Sequence, residues 1–378
     1  MKILINAFPL LAPKSGVGYY AYHLLHALRR LYGVADQYTY FYGRRFSREI
    51  AERPPAFDAA TRRVLKQLFE NPYRLTQPLK ELLFRCAAPW IGADVYHETN
   101  YVLLPYRGRQ VVTVFDLSIK RYPETHPASR VKFFNAYFDR RLGNADHIIA
   151  ISEFTKRELV EVMQVAAEKI TVTHLAPAQF ATPTDEELRA FKAAQGLPER
   201  FFLYLGNLEP RKNLCLLVRA YRQFADRQGS GAPALVIAGE QTWLAEPLLR
   251  EIERLQLRGR VLLPGYVAEA ALPLWYRSAL ALVYPSFYEG FGLPVLEAMA
   301  CGTAVIAARA AALPEVAGDA ALLVPPDDED AWAAALGDIA ASPGLRAALE
   351  AKGRARAAQF SWDACARATH RVYEMVTQ

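Results

Sequence analysis

The sequence predicts an α/β protein built from two doubly wound parallel sheets. Short β-branched or aromatic runs alternate with helical patterns about a dozen times along 378 residues, which is how strands covered on both faces by crossover helices read. The alternation breaks over residues 176–200, "APAQFATPTDEELRAFKAAQGLPER", before "FFLYLG" restarts it. Prolines and charges there mark an interdomain linker. Apolar residues make up 52% of the chain, enough to fill more than one core at this length.

In chain order, the strand candidates of the first half are "KILINAF", "YTYFYG", "DVYHET", "VVTVFDL", "HIIAIS" and "ITVTHLA". Those of the second half are "FFLYLG", "ALVIAG", "RVLLPG", "ALALVYPS", "TAVIAA" and "ALLVPP". The opening "MKILINAFPLL" carries one leading positive charge and runs into Pro13, Lys14 and Gly16 rather than a small-residue cleavage site. It is read as a buried first strand, not a secretory leader. "YRLTQPLKELLFRCAAPW" sets Leu75, Leu79, Leu82, Leu83 and Cys86 on one helical stripe among Arg74, Lys80 and Arg85. Such a stripe is expected to face a core; the alternative is a helix lying in an anionic interface. The final "FSWDACARATHRVYEMVTQ" predicts an amphipathic helix capped by Ser361.

Composition removes several function classes. Cys86, Cys215, Cys301 and Cys365 are scattered, without the spacing of a zinc site or a disulfide framework, so a reducing compartment is expected. No apolar run approaches the ~20 residues of a membrane-spanning helix. Residues 1–185 carry 25 Lys and Arg against 17 Asp and Glu, a net +8, whereas residues 186–378 carry 20 against 22, a net −2. The basic half suits an anionic partner such as a phospholipid surface or a lipid pyrophosphate. Nucleic acid is not expected, because zinc-finger spacing, an RNP-like strand and long basic runs are all missing from the sequence.

The stretch most charged with chemistry is "YPSFYEGFGLPVLEAMACG", Tyr284 to Gly302, in which Glu289 and Glu297 have seven residues between them. Pro294 suits the first turn of a helix and Gly302 its end. Glu289 is then placed in the loop above the helix and Glu297 in its first turn, beside the free N–H groups of Phe291, Gly292 and Leu293. Amides at a helix start hold phosphate, and two fixed carboxylates accept hydrogen bonds from the hydroxyls of a sugar and a ribose. A nucleotide-sugar would use all of it. From spacing alone, an equal reading is that Glu297 complements the helix dipole and Glu289 is solvated.

Two further elements bear on that choice. "YLGNLEPRKN" follows a strand on the same carboxyl edge and ends in Arg211 and Lys212, a fork and a point charge for phosphate. "SGVGYYAYHLL" places Gly16 and Gly18 where strand one turns into a helix; a GxG turn serves either anion-binding amides or packing. His97 and Asp116, each at the end of a first-half strand, are candidates to contact donor or acceptor, against the commoner reading that a strand-end residue of this kind is structural.

"PSFYEGFGLPVLEAMACGTAVIAA" resembles the E-x7-E region of retaining glycosyltransferases of family 4. "GNLEPRKN", "ADHIIAISEFTKREL", "LPEVAGDAALLVPPDD" and "SGVGYYAYHLL" resemble that family's other landmarks in the same order. The resemblance covers nearly the whole chain. It implies a GT-B architecture of two facing Rossmann-like domains with an interdomain cleft, divided as residues 1–178 for the acceptor, 179–358 for the nucleotide-sugar donor, and 359–378 as a helix crossing back. It also implies catalysis without metal or cofactor and with retention at the anomeric carbon. Glu289 would meet the donor sugar's hydroxyls and Glu297 the ribose. Arg211 and Lys212 would hold the diphosphate, Gly16 would approach it from the other domain, and Phe291, Gly292 and Leu293 would supply amides.

Three departures from the family pattern stand out. Asn207 occupies a position where an arginine is frequent, Phe115 replaces a histidine before Asp116, and "THLAPAQF" replaces a commoner turn at the linker. The function expected is hexosyl transfer to a glycan, lipid-linked and destined for surface polysaccharide, by a cytoplasmic enzyme peripheral to the membrane. GDP-mannose is the first donor expected, then UDP- or dTDP-sugars. A nucleotide-sugar epimerase on the same architecture and a non-catalytic nucleotide-sugar-binding module are the alternatives.

Overall fold

The structure is a computed structural model that describes residues 1–11, 16–51, 73–240 and 244–378, with backbone alone at 73–76. The chain divides into two compact units, Met1–Leu175 with Ser361–Gln378, and Ala176–Phe360. These divisions fall at 175/176 and 360/361, against the 178/179 and 358/359 expected from sequence.

Unit 1 is built on seven strands: β1 (Lys2–Asn6), β2 (Gln37–Phe41), β3 (Phe46–Ser47), β4 (Val95–Glu98), β5 (Arg109–Val114), β6 (His147–Ala150) and β7 (Ile170–Val172). Their order is β3-β2-β1-β4-β5-β6-β7. Ile3 pairs with both Tyr38 and Val95, so the opening apolar run lies inside the sheet. All pairs are parallel except β3, which returns antiparallel to β2 with Phe41 opposite Phe46. The return is made at Gly43, whose φ of +83° suits glycine. A two-residue strand carries no periodicity, and the sequence pattern missed it.

Unit 2 holds β8 (Phe201–Leu205), β9 (Ala234–Ala238), β10 (Val261–Gly265), β11 (Ala281–Tyr284), β12 (Ala304–Ala308) and β13 (Leu322–Val324). They run wholly parallel in the order β10-β9-β8-β11-β12-β13. The order reverses between β8 and β11. At such a switch point the crossover helices lie on opposite faces, leaving a crevice at the strands' carboxyl ends where ligands bind.

The last helix, Trp362–Thr377, is assigned to unit 1. Its cap is Ser361, whose hydroxyl accepts from the Ala364 N–H at 3.1 Å. Burial fixes it against the first helix, Gly16–Tyr32: Trp362 stacks on His23 at 5.0 Å and His370 on Tyr32 at 3.7 Å. The helix Tyr73–Ile91 departs from expectation. Phe84 and Ala88 are buried, but Leu79, Leu82 and Leu83 are 53%, 58% and 38% exposed, and Cys86 is exposed as well. The stripe read as core therefore points to solvent, because Phe84 and Ala88 on the opposite side supply the core contact. Arg74 and Leu75 lie outside the described side chains. No helix among the described residues is long and apolar enough to cross a membrane.

Candidate active site

Both chemistry-bearing loops of unit 2 leave the strands that flank its switch point. After β8 the chain passes Gly206 and Asn207, makes the 3-10 turn Pro210–Lys212, and enters the helix Leu214–Gln228 through Asn213. Asn213 is left-handed at φ +58° and donates to the Pro326 carbonyl at 2.6 Å, a conformation that asparagine tolerates. The end of β9 comes so close that a Cβ on Gly239 would sit 1.9 Å from the Gly206 carbonyl oxygen. Only glycine fits there.

The β11 loop is tied to the β8 loop by backbone. The Ser286 hydroxyl and the Phe287 N–H both donate to the Arg211 carbonyl, at 3.1 and 3.2 Å, and Arg211 Nη1 donates to the Tyr288 carbonyl at 3.0 Å. These bonds bring Glu289 onto the two cations. Lys212 Nζ lies 2.5 Å from Glu289 Oε1, and Arg211 Nη1 lies 3.3 Å from Oε2. Lys212 also donates to the Tyr284 hydroxyl at 3.3 Å, and Arg211 Nε pairs with Glu209 at 3.0 Å. Both Lys212 and Glu289 are buried. The reading that leaves Glu289 a solvated loop residue is thereby corrected.

Electrostatics separate the two glutamates. Burial raises the Glu289 carboxyl, but the Lys212 ammonium and Arg211 guanidinium outweigh it and bring it to about 2. Burial and Arg211 pull the Lys212 ammonium down, while Glu289 and Glu209 hold it up. Glu297 has no such cations. Burial, with the Glu269 charge adding to it, pushes it up to about 7 against the hydrogen bond from the Tyr276 hydroxyl at 2.9 Å.

Glu297 also sits differently from expectation. The helix is Leu293–Ala300 with Pro294 in its first turn, so Glu297 falls in the second turn and faces Tyr276 on the neighbouring helix Leu272–Ser278. It is not a first-turn complement to the dipole. Gly292 starts the helix at φ +106°, where a Cβ would lie 2.6 Å from Leu313 Cδ2. Its carbonyl accepts from Val295 and Leu296, while the Gly292 and Leu293 N–H groups carry no hydrogen bond among the described residues. Phe291 is buried with its ring edge-on to Phe360 at 5.9 Å. Asn207 is exposed and turned to Glu209 at 3.4 Å.

The remaining expected residues belong to unit 1. Gly16 opens the first helix, and a Cβ there meets nothing within 4 Å, so packing among the described residues does not require glycine. Asp116, two residues past the end of β5, is half-buried and caps its own turn, Oδ1 accepting from the Ser118 N–H at 2.9 Å. His97 is corrected. It is fully buried, Nδ1 lies 2.6 Å from the Tyr373 hydroxyl and Nε2 lies 2.8 Å from Thr113 Oγ1. With both nitrogens taken, the ring ties the sheet to the last helix.

Sequence reasoning missed Tyr276, Glu209, Tyr284 and Ser286 as partners of the cluster. It also missed Glu98, at the switch point of unit 1 beside β1. Its two oxygens take both Asn6 hydrogen bonds, at 2.7 and 2.8 Å, and the Tyr96 hydroxyl at 2.6 Å. No group of three or more His, Cys, Asp or Glu among the described residues is placed to share a metal ion.

Comparison with known proteins fits this geometry. The family described as "Glycosyltransferase Family 4" matches residues 14–176, and "Glycosyl transferases group 1" matches residues 185–356. The chain is 33% identical to O-antigen chain mannosyltransferase B of Escherichia coli, with 100% of both chains covered. Among solved structures, sucrose-phosphate synthase from Thermosynechococcus elongatus aligns at a TM-score of 0.73 and 22% identity, covering 99% of this chain and 98% of that one. HepE from Anabaena, in complex with UDP and glucose, aligns at 0.70 and 18% identity, covering 99% and 100%.

Proposed function

The chain belongs to glycosyltransferase family 4, with a GT-B fold, and from that premise we propose that it transfers a mannosyl group from GDP-mannose to a hydroxyl of a lipid-linked glycan, with retention and without a metal. The observation that carries the proposal is the Glu289–Lys212–Arg211 cluster at the switch point of unit 2, beside the start of the Leu293–Ala300 helix. Mannose is favoured by the printed name of the full-length relative. A lipid-linked acceptor at the cytoplasmic face of a membrane is favoured by the basic unit 1.

In this reading the donor's diphosphate displaces carboxylates from Arg211 and Lys212, with the Gly292 and Leu293 amides as further donors. Glu297 accepts from the ribose hydroxyls. Glu289, freed in part from its cations, accepts from hydroxyls of the sugar. The bond from the anomeric carbon to the phosphate oxygen then breaks, and positive charge develops on the ring. Arg211 and Lys212 stabilise the departing diphosphate, the main catalytic contribution. The acceptor oxygen bonds to the anomeric carbon on the same face and its proton passes to the departing phosphate oxygen. Front-face return is favoured over attack by Glu289 by the family resemblance.

The test is transfer from GDP-mannose, against UDP- and dTDP-sugars, to a soluble acceptor carrying the glycan terminus, with the product's anomeric configuration read by NMR. An inverted product, or a mannosylated Glu289 found by mass spectrometry, refutes the front-face step. Absence of transfer from every donor refutes the function.

A further inference from the structure

The helix Tyr73–Ile91 is apolar on two sides. One side meets the core through Phe84, whose ring lies 5.0 Å from Phe41 and 4.9 Å from Tyr96. The other carries Leu79, Leu82, Leu83, Cys86 and Trp90, with Trp90 90% exposed. At about 100° per residue these five side chains fall within one ~100° arc. A helix that is apolar all round is normally buried, and a contiguous apolar strip on a surface marks an interaction site.

The charges around the strip select its partner. Glu81 is the sole acid on the helix, and Arg141 holds it at 2.8 Å. Arg85 is exposed beside the strip. Elsewhere in the same unit the β2–β3 turn presents exposed Arg44 and Arg45, and exposed Arg48 follows β3. Unit 1 as a whole has 27 Lys and Arg against 18 Asp and Glu, a net +9, while unit 2 has 18 against 21, a net −3. Apolar side chains beside the exposed Arg85 on a net basic unit match a bilayer interface with anionic headgroups, which gains from both terms.

We propose that the Leu79–Trp90 face of this helix docks unit 1 onto an anionic lipid bilayer, its leucines and Trp90 entering the acyl boundary, Arg85 meeting phosphate headgroups and the net positive charge of unit 1 adding to the attraction. The proposal deepens the lipid-linked acceptor reading and rests on it only for its purpose. Sugar transfer to a soluble acceptor is measured separately, so failure of either shows independently.

The full chain is sedimented with phosphatidylcholine vesicles, with and without phosphatidylglycerol. Binding is expected with phosphatidylglycerol, weakened by salt, and reduced about tenfold or more in the double variant Leu82→Glu, Leu83→Glu. That variant keeps its thermal midpoint and its transfer to a soluble acceptor, because both leucines are exposed. Cys86 alkylation, followed by peptide mass spectrometry, is fast in buffer and slowed several-fold by the anionic vesicles. Equal vesicle binding by wild type and variant overturns the proposal. So does slow alkylation without vesicles, or a dimer by light scattering that the variant dissociates, since either means another part of this chain or a second copy occupies the face.

Discussion

Lys212 Nζ and Glu289 Oε1 approach to 2.5 Å across 77 residues of sequence, and both side chains are withdrawn from solvent. A charge removed from such a pair leaves the other buried without compensation, at a cost of about 3–5 kcal/mol. Glu289→Gln therefore destabilises unit 2, but Arg211 keeps Glu209 and the loop keeps its Ser286 and Phe287 bonds. The variant is expected to fold with a lower melting temperature and to lose about 100-fold or more in turnover. Circular dichroism and single-turnover transfer check this. Turnover within a few-fold of wild type contradicts a role for Glu289 at the reacting sugar.

Glu297 gives the fold a pH dependence of known sign. Its carboxyl ionises near 4.5 when the chain is unfolded but near 7 when buried. A carboxyl whose folded value is raised contributes its full stability below the unfolded value and loses it as pH climbs through 7. The loss has an upper bound of about 3 kcal/mol. Glu297→Gln keeps an acceptor for Tyr276 without the charge. Melting scans should show the variant gaining on wild type at pH 8 and matching it near pH 4.5; equal gaps at both pH values count against an ionised, buried Glu297.

What the sequence disclosed follows the range of the forces involved. Strands such as "ALVIAG" and "TAVIAA" were legible because β-branched runs declare themselves locally, and all twelve candidates became strands. Glu289 and Glu297 were legible as a pair because seven residues between two acids beside a Pro–helix start is a short-range pattern. Their partners were not. Tyr276 reaches Glu297 from 21 residues upstream and Lys212 reaches Glu289 from 77, contacts set by strand order, which one sequence does not state. The leucine stripe showed the limit in the other direction, since its period was right but a helix wheel does not say which of two apolar faces the core takes.

If Glu297 holds the ribose as proposed, Tyr276 acts on nucleotide through it, as a positioning residue. Its hydroxyl donates the one hydrogen bond that lowers the Glu297 carboxyl. Tyr276→Phe removes that donor and moves ionisation of Glu297 to higher pH. Ribose hydroxyls bind the ionised carboxylate better than the neutral acid, so donor KM is expected to rise several-fold at pH 7 with kcat little changed, and to return toward wild type at pH 8.5. A KM defect of equal size at both pH values means that Tyr276 only packs.

His97 is expected to fail as a substrate contact and succeed as a clamp. Burial lowers its imidazole to about 3, so the ring is neutral in the folded chain while the unfolded chain takes up a proton below 6.5. The stability it contributes is present above 6.5 and drains as pH falls, by about 1.4 kcal/mol per pH unit. His97→Gln breaks the bridge from Thr113 to Tyr373, exposing the last helix to faster hydrogen exchange at pH 7.5 while donor KM stays unchanged. The stability gap between wild type and variant is widest at pH 7.5 and narrows toward pH 5. A raised donor KM with unchanged exchange in the last helix would return His97 to the substrate site.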